Sequence, residues 1–428
     1  MIRYFKQAWG SLRKQPLLSI VSIAGTALAI FLIMIIVMID EVKVVSFAPE
    51  SARDRWLVQT SASIGNKEWG STPDNNSSNG GMSYETIRRT FYEMELPEAV
   101  GAFTSMLTES HLSVPGKTPF GAQRKDTDHG FWKVMDFNFI SGAPYDEADV
   151  ESGLQVAVIS ETLARKLFDT IDCVGREFSI DHVPYRVKGV VRDISNMTSY
   201  AFANLWVPLT SNGTDKFTWC TYMGSVSAII VPESKADIPA VREEYDKVWD
   251  KFEDEVKEAG WEFYRRNRPY DQETAVSTPW ANMVPDMEAV RRHDLLVYTI
   301  LLLIPAINLS SMTQSRLRHR REEIGVRRAF GATRTAIMSE IFIESLIITV
   351  IAGLIGLALS IAFIFLGGKT VLAGGANVTG LTLGMVFNVK VFLTALFFCF
   401  LMNLISATFP SLQAARTNIV NALSGGNK

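Results

Sequence analysis

"SRLRHRREEIGVRRAFGATR", residues 315–334, sets seven arginines in twenty residues and has a long apolar run on each side. Such a stretch suits nucleic acid, an anionic membrane surface or a groove on a protein partner, and its neighbours decide among these. Apolar residues make up 47% of the 428-residue chain, the mean hydropathy is +0.13, and four stretches concentrate that content. Residues 17–39 carry no charge, and at 1.5 Å rise per residue they reach about 35 Å, enough to cross a hydrocarbon core of about 30 Å. Residues 295–313, interrupted by Pro305, residues 341–366 and residues 391–409 are the other three. A soluble core accounts for one such run, but not for four. The expectation is a polytopic membrane protein with spans at 17–39, 295–313, 337–366 (apolar from 341) and 391–409.

Short-loop charge gives the expected orientation. Arg3, Lys6, Arg13 and Lys14 precede the first span with no acidic residue among them, and the arginine-rich loop separates the second span from the third. The loop at 367–390 holds only Lys369 and Lys390. Positive loops stay in the cytoplasm, which places both termini and residues 314–336 inside and residues 40–294 outside. The first apolar run is too long for a signal peptide and lacks a small-residue cleavage site after it, so it reads as a retained anchor. Ahead of it, Ile2, Phe5, Trp9 and Leu12 share one helical face, so residues 1–16 read as an interfacial amphipathic helix. The outer segment, 40–294, carries 27 Lys+Arg against 41 Asp+Glu, a net charge of −14. Such an acidic surface argues against nucleic acid as a partner.

Within the outer segment, 70–81 ("GSTPDNNSSNGG") reads as a polar loop, and beyond it the patterning is globular. "VAVIS" (156–160) is a buried-strand run, with Ser160 placed to cap a helix over "ETLARKLF". Residues 176–194 alternate apolar and polar about a turn at 181–184, the pattern of a β-hairpin. Ile238, Val241, Tyr245, Val248, Phe252 and Val256 keep the 3–4 spacing of an amphipathic helix that ends near Gly260. Together these predict a mixed α/β domain. Cys173 and Cys220 both fall in it, where either a disulfide or two free thiols is compatible with an outer compartment. Cys399 falls within the fourth span as a packing residue.

Catalytic motifs are missing from the sequence. "GGKT" (367–370) ends like a phosphate-binding loop, but Phe363 stands where its first glycine belongs, and a membrane helix precedes it. The histidines His111, His129, His182, His293 and His319 are scattered without zinc spacing. No metal site and no cofactor site is expected in the chain itself. Polar residues in the spans are better leads. Glu340 and Glu344 are one turn apart where the third span begins, and charge at a bilayer centre costs roughly 2.5–3.5 kcal/mol on insertion scales. They read either as interfacial partners of the loop arginines or, for Glu344, as a contact inside the helix bundle; Asn308 admits the same two readings. Gly353 and Gly356 permit close helix approach.

Within the opening stretch, Ile324, Arg328 and Gly331 share one helical face, and Val326, Ala329 and Phe330 form an apolar side. A short helix with an apolar ridge flanked by charge suits docking into a protein groove better than a lipid surface or a nucleic acid. The residues "REEIGVRRAFGATR" closely resemble the loop between the second and third spans of MacB/FtsX-type ABC transporter permeases. "ESLIITVIAGLIGLALS" (344–360) looks like that family's third span. "VAVISETLARKLF", "VGREFSI" and "YRVKGVVRDI" resemble its MacB-type periplasmic core domain, and "FWKVMDFNFISGAPY" (131–145) the stretch before it. "PSLQAARTNIVNAL" (410–423) is similar to its C-terminal motif, with Ile419 where proline is common.

The resemblance implies a fold of four transmembrane helices plus an α/β extracytoplasmic domain of MacB periplasmic-core type. That domain would occupy 40–294, and 410–428 would be a cytoplasmic tail. It also implies a stand-alone, non-catalytic permease of a mechanotransmitting ABC transporter in a bacterial inner membrane. Glu322, Glu323, Ile324, Gly325, Val326, Arg327, Arg328, Ala329, Phe330, Gly331 and Ala332 would form the coupling helix against a separate cytoplasmic ATPase, which would bind ATP and magnesium. The other implied partners are a second permease copy or paralogue, a periplasmic adaptor and an outer-membrane channel. Extrusion of a peptide, antibiotic or lipoprotein-like cargo is the expected role. The alternative is an FtsX-like regulatory subunit that activates a cell-wall hydrolase or a sensor kinase.

Overall fold

The computed structural model describes residues 16–366 except 67, 69, 74, 212, 214–219, 279 and 320, together with residues 10, 393, 397, 400, 401 and 408. The expected interfacial helix, the 367–390 loop with its "GGKT", nearly all of the 391–409 span with Cys399, and the 410–428 tail lie outside the described residues. The chain divides into two compact units, one of them Val42–Met287 and the other built from the segments flanking it. Helix α1 (Pro16–Val42) contains the first apolar run.

The Val42–Met287 unit is a 14-stranded mixed sheet with helices packed on it. Its first half runs β1 (Leu57–Gln59), β2 (Ala62–Asn66), β3 (Ser78–Met82), α2 (Tyr84–Thr90), β4 (Ala99–Thr104), β5 (Thr108–Ser113) and β6 (Phe120–Thr127). Next come α3 (Phe131–Val134), β7 (Phe139–Gly142), α4 (Glu147–Glu151), β8 (Val156–Ser160), α5 (Glu161–Phe168), β9 (Glu177–Ile180) and β10 (Val183–Val191). The last stretch is β11 (Leu205–Pro208), β12 (Met223–Gly224), β13 (Val226–Val231), α6 (Ile238–Glu258), β14 (Trp261–Phe263) and α7 (Gln272–Val276).

Six strands close on themselves in the order β5, β6, β11, β8, β10, β9 and back to β5. A closed ring has no free strand edge to attract another chain. Leu112, Ala157, Ile159, Phe178, Ile180, Val187, Leu205 and Val207 from these strands pack into one apolar cluster. The expected cap is present: Ser160 Oγ accepts from Leu163 N at 3.3 Å at the start of α5. The expected hairpin is β9–β10, with Ile180 paired to Val183. Its two turn residues, Asp181 and His182, have φ of 49° and 72°, the left-handed pair whose twist matches the flanking strands.

Strand β13 explains how the rest is organised. Its sequence, VSAIIV, is buried at every position, as a strand covered on both faces must be. Ala228 and Ile230 enter one core, and Ile229 and Val231 enter another. The first core is covered by α6 through Val241, Tyr245, Trp249, Phe252 and Val256. Val248, which the apolar spacing placed on this face, packs partly buried against the same core, and Trp249 joins it fully buried with its ring centroid 5.1 Å from that of Phe263. The predicted loop at 70–81 needs correcting. Residues 78–81 belong to β3, and a Cβ at Gly81 would lie 2.7 Å from the Ser225 backbone. The glycine there serves close strand approach, not a turn.

The start of this unit is held by buried charge. Arg53 and Glu50 are both 0% exposed and lie 2.6 Å apart. The Arg53 guanidinium also donates to the carbonyls of Val42 (2.6 Å), Val45 (3.1 Å) and Met197 (2.8 Å). The second carboxylate oxygen of Glu50 accepts from Tyr200 N and Ala201 N, each at 2.8 Å. Nearby, Lys125 is 1% exposed and donates to Tyr200 O; burial pushes its ammonium down to about 8. Cys173 and Cys220 are free thiols, Cys173 inside the closed ring's core and Cys220 beside the core under α6.

The flanking unit continues with α8 (Met287–His319), α9 (Arg321–Ala329) and α10 (Arg334–Leu366). Among the described residues two helices are long and apolar enough to cross a membrane, Ser19–Val42 and Thr335–Phe363. The 295–313 run lies inside α8, whose 33 residues reach about 50 Å. Helices α1 and α10 touch. Phe31 and Phe363 meet edge to face at 5.9 Å, and a Cβ on Gly356 would come within 2.9 Å of Ala27 O and 3.0 Å of Ile30.

Candidate functional site

The expected coupling residues lie on α9 and the turn after it. Gly331 has φ +92°, a conformation that side chains resist, and it ends the helix while Ala332 N bonds back to Arg327 O at 3.0 Å. Thr333 Oγ1 then accepts from Ala336 N at 3.3 Å, capping the next helix. The result is a short helix folded back on α10. Ile324 fixes it by packing with Ile337 and Ile341, all three buried. Arg327 fixes it again: one nitrogen meets Glu323 at 2.6 Å and another meets Glu340 at 2.8 Å. Such partly exposed pairs contribute only about 0.2–1 kcal/mol each, so the isoleucine cluster carries more of the anchoring.

What α9 presents outward is the apolar side. Val326, Ala329 and Gly331 are exposed, and Phe330 is 89% exposed. The grouping of Ile324 with Gly331 on one face does not hold, because Ile324 and Gly325 turn inward while Gly331 stays in solvent. Glu322, Arg328 and Asn308 sit on helices, but their side chains lie outside the described residues. Glu344, Gly353 and Gly356 are buried on α10. Ile337 and Ile341 escaped the sequence reading, although their spacing of four is the signal that marks them.

A second feature was not legible in the sequence at all. The Val42–Met287 unit contains a cleft of about 720 Å³. Its inner wall carries Tyr84, Tyr92 and His129, with the Tyr92 and His129 rings 5.6 Å apart. Behind them Asp128 is fully buried, accepting from Ala102 N and Phe131 N at 2.9 Å each and from the Tyr92 hydroxyl. Burial pushes the Asp128 carboxyl up against the pull of these bonds. Burial, and then Asp128, push the phenols of Tyr92 and Tyr84 well up, so both rings are neutral near pH 7. Around the mouth stand Glu85, Glu93, Glu147, Glu151 and Arg88.

Residues 19–248 match the MacB-like periplasmic core domain, and residues 295–419 match the FtsX-like permease C-terminal domain. The chain belongs to the MacB/FtsX family of ABC transporter permeases. This permease is 24% identical over 305 residues to the uncharacterized ABC transporter permease YknZ of Bacillus subtilis (strain 168), covering 69% of this chain and 68% of that one. It is 25% identical over 296 residues to the macrolide export ATP-binding/permease protein MacB of Burkholderia cenocepacia (strain HI2424). That match covers 69% of this chain and only 40% of the relative. Among solved structures, the periplasmic region of MacB from Actinobacillus actinomycetemcomitans aligns over 51% of this chain and 92% of that one, with 16% identity and a TM-score of 0.34. Permeases of this family are membrane proteins with a periplasmic domain and work with ATPase partners.

Proposed function

We propose that this permease couples ATP hydrolysis by a separate cytoplasmic ATPase to a shape change of its periplasmic unit, driving export. Two four-span permeases would pair with two ATPase subunits, with both chain termini and α9 on the cytoplasmic side. The family membership and the export names of relatives such as MacB support that reading. Closure of the ATPases on ATP would press on α9, and α10 would receive the push through the Ile324 cluster and Arg327. Cargo is then moved on the periplasmic side, handed to an adaptor and an outer-membrane channel. A peptide, an antibiotic or a lipoprotein-like molecule is the cargo class.

The observation that carries this reading is Phe330, a large apolar side chain left 89% exposed at the tip of a helix otherwise fixed in place. Fully burying a phenylalanine is worth about 1.5–3 kcal/mol. Replacing it with glutamate should therefore weaken ATPase binding by about tenfold to a hundredfold. Co-purification of the tagged permease from native membranes measures this, and Glu323→Lys and Gly325→Trp should uncouple ATPase from transport while still inserting. Undiminished ATPase recovery and coupling in all three variants would end the docking claim.

A further inference from the structure

We propose that Arg266 and Arg268 form an oxyanion site in the Val42–Met287 unit that takes a phosphate group, with Trp280 beside it to receive the apolar part of a phospholipid. The site lies outside the export reading and does not depend on it.

Buried charge comes first. Arg268 is 4% exposed, and a guanidinium held away from water is costly unless a counter-charge stands beside it. The other two buried arginines of this unit have one: Arg53 meets Glu50, and Arg124 meets Asp126. Half-buried Arg265 gathers Asp246, Asp250 and Glu253. Among the described residues, no carboxylate meets Arg266 or Arg268. Arg268 donates instead to Ala281 O and, at 3.4 Å, to Ser63 Oγ. Arg266 donates from Nε to the same Ser63 Oγ at 3.0 Å and from its far end to Pro73 O. Two positive charges thus converge on one hydroxyl, and no protein anion joins them.

The donors left over are open. A guanidinium carries five N–H groups, and the bonds above leave Arg268 Nε and Arg266 Nη1 unused. Neither is among the described side-chain atoms sealed from solvent without a partner, so both remain reachable. The backbone is bent to hold them there: Arg266 and Asn267 have φ of 54° and 60°, left-handed conformations that cost side-chain-bearing residues energy and gather at binding sites. Planar forks of donors match the oxygens of a phosphate. The flank suits a lipid carrier. Residues 274–285 include no charged side chain, and Arg268 grips this stretch by Ala281 O. Next to the grip Trp280 is 69% exposed, and Met283 and Val284 are exposed with it, whereas Trp56, Trp206 and Trp249 are buried. An indole with its apolar body in the open fits the boundary between a headgroup and its acyl chains. Val284 stands three residues before α8, the helix that carries the 295–313 apolar run.

The test uses the full chain in maltoside micelles, with phosphatidylglycerol binding counted by native mass spectrometry and inorganic phosphate binding measured by calorimetry. Saturable binding is expected, and Arg266→Gln should weaken it by about tenfold or more, as the loss of one charge-assisted hydrogen bond gives. Arg266→Lys, which keeps the charge without the planar fork, should fall in between. Arg192→Gln, at an exposed arginine elsewhere in the unit, should leave binding unchanged. Tighter binding of phosphatidylglycerol than of phosphate, with the difference lost in Trp280→Ala, supports the site and assigns it to a lipid. Equal affinities support the phosphate site and remove the lipid. No saturable binding of either, or equal binding by wild type and Arg266→Gln at an unchanged unfolding midpoint, overturns the proposal. No ATPase enters the experiment, so a permease that recovers none from native membranes would sink the export reading and leave this result standing.

Discussion

Replacing Arg53 with methionine removes the guanidinium and keeps much of the side chain's length. Four interactions end at once: the 2.6 Å pair with Glu50 and the bonds to the carbonyls of Val42, Val45 and Met197. Glu50 stays behind, 0% exposed, with two backbone N–H groups as its remaining donors. Breaking a buried pair from one side costs about 3–5 kcal/mol, because the surviving charge has lost its counter-ion and cannot reach water. In a domain of this size each kcal/mol moves the unfolding midpoint by about 2–4 °C, so a fall of about 6–20 °C is expected. Tryptophan fluorescence on heating reports it, since Trp56, Trp206 and Trp249 are all buried in this unit. The diagnostic comparison is the double variant Arg53→Met, Glu50→Gln. With the stranded charge gone, it should recover at least half of the loss. A double variant that loses as much as Arg53→Met and Glu50→Gln added together would refute the reasoning, as would Arg53→Met alone falling by less than 2 °C.

Two further outcomes follow from positions of the same kind. Lys125 is pushed down to about 8 in the folded chain against about 10.4 in an unfolded one, so the unfolded state binds the extra proton between these values. Stability should therefore rise as pH increases from about 8 toward 10, by up to about 3 kcal/mol, and Lys125→Met should flatten that slope in urea titrations at several pH values. Gly356→Val would push a side chain into Ala27 O and Ile30, and overpacking of this kind costs about 1–3 kcal/mol. A lowered unfolding midpoint of the membrane-spanning unit in the detergent-solubilised permease, with the transition of the Val42–Met287 unit unchanged, is the result to look for.

Local signals in the sequence located local structure well. VAVIS with Ser160, the alternation about 181–184 and the spacing along α6 each depend on neighbours a few residues away. Such patterns survive into the fold because the residues that read them are the residues that make them. Phe330 and Val326 were legible for the same reason, as one turn of helix separates them. The closed ring was not legible, because β6 pairs with β11 across more than seventy intervening residues and nothing in either strand names the other. Nor was the cleft, whose lining comes from α2, the residues after it, the start of α3, α4 and the segments near Thr210 and Thr221. Four glutamates scattered from 85 to 151 look like ordinary surface charge until the sheet gathers them. The 78–81 strand fails for a third reason: there the bare backbone of Gly81 passes close to Ser225, so a glycine that composition read as a turn serves strand pairing.

The strand β13 belongs to two cores at once, with alternate side chains committed to opposite sides. A hinge between those cores would have to tear Ile230 or Ile229 from its surroundings, so the two halves of this unit resist bending against each other. Under the proposed coupling, a push delivered to it would be passed on with little lost to bending between the two cores.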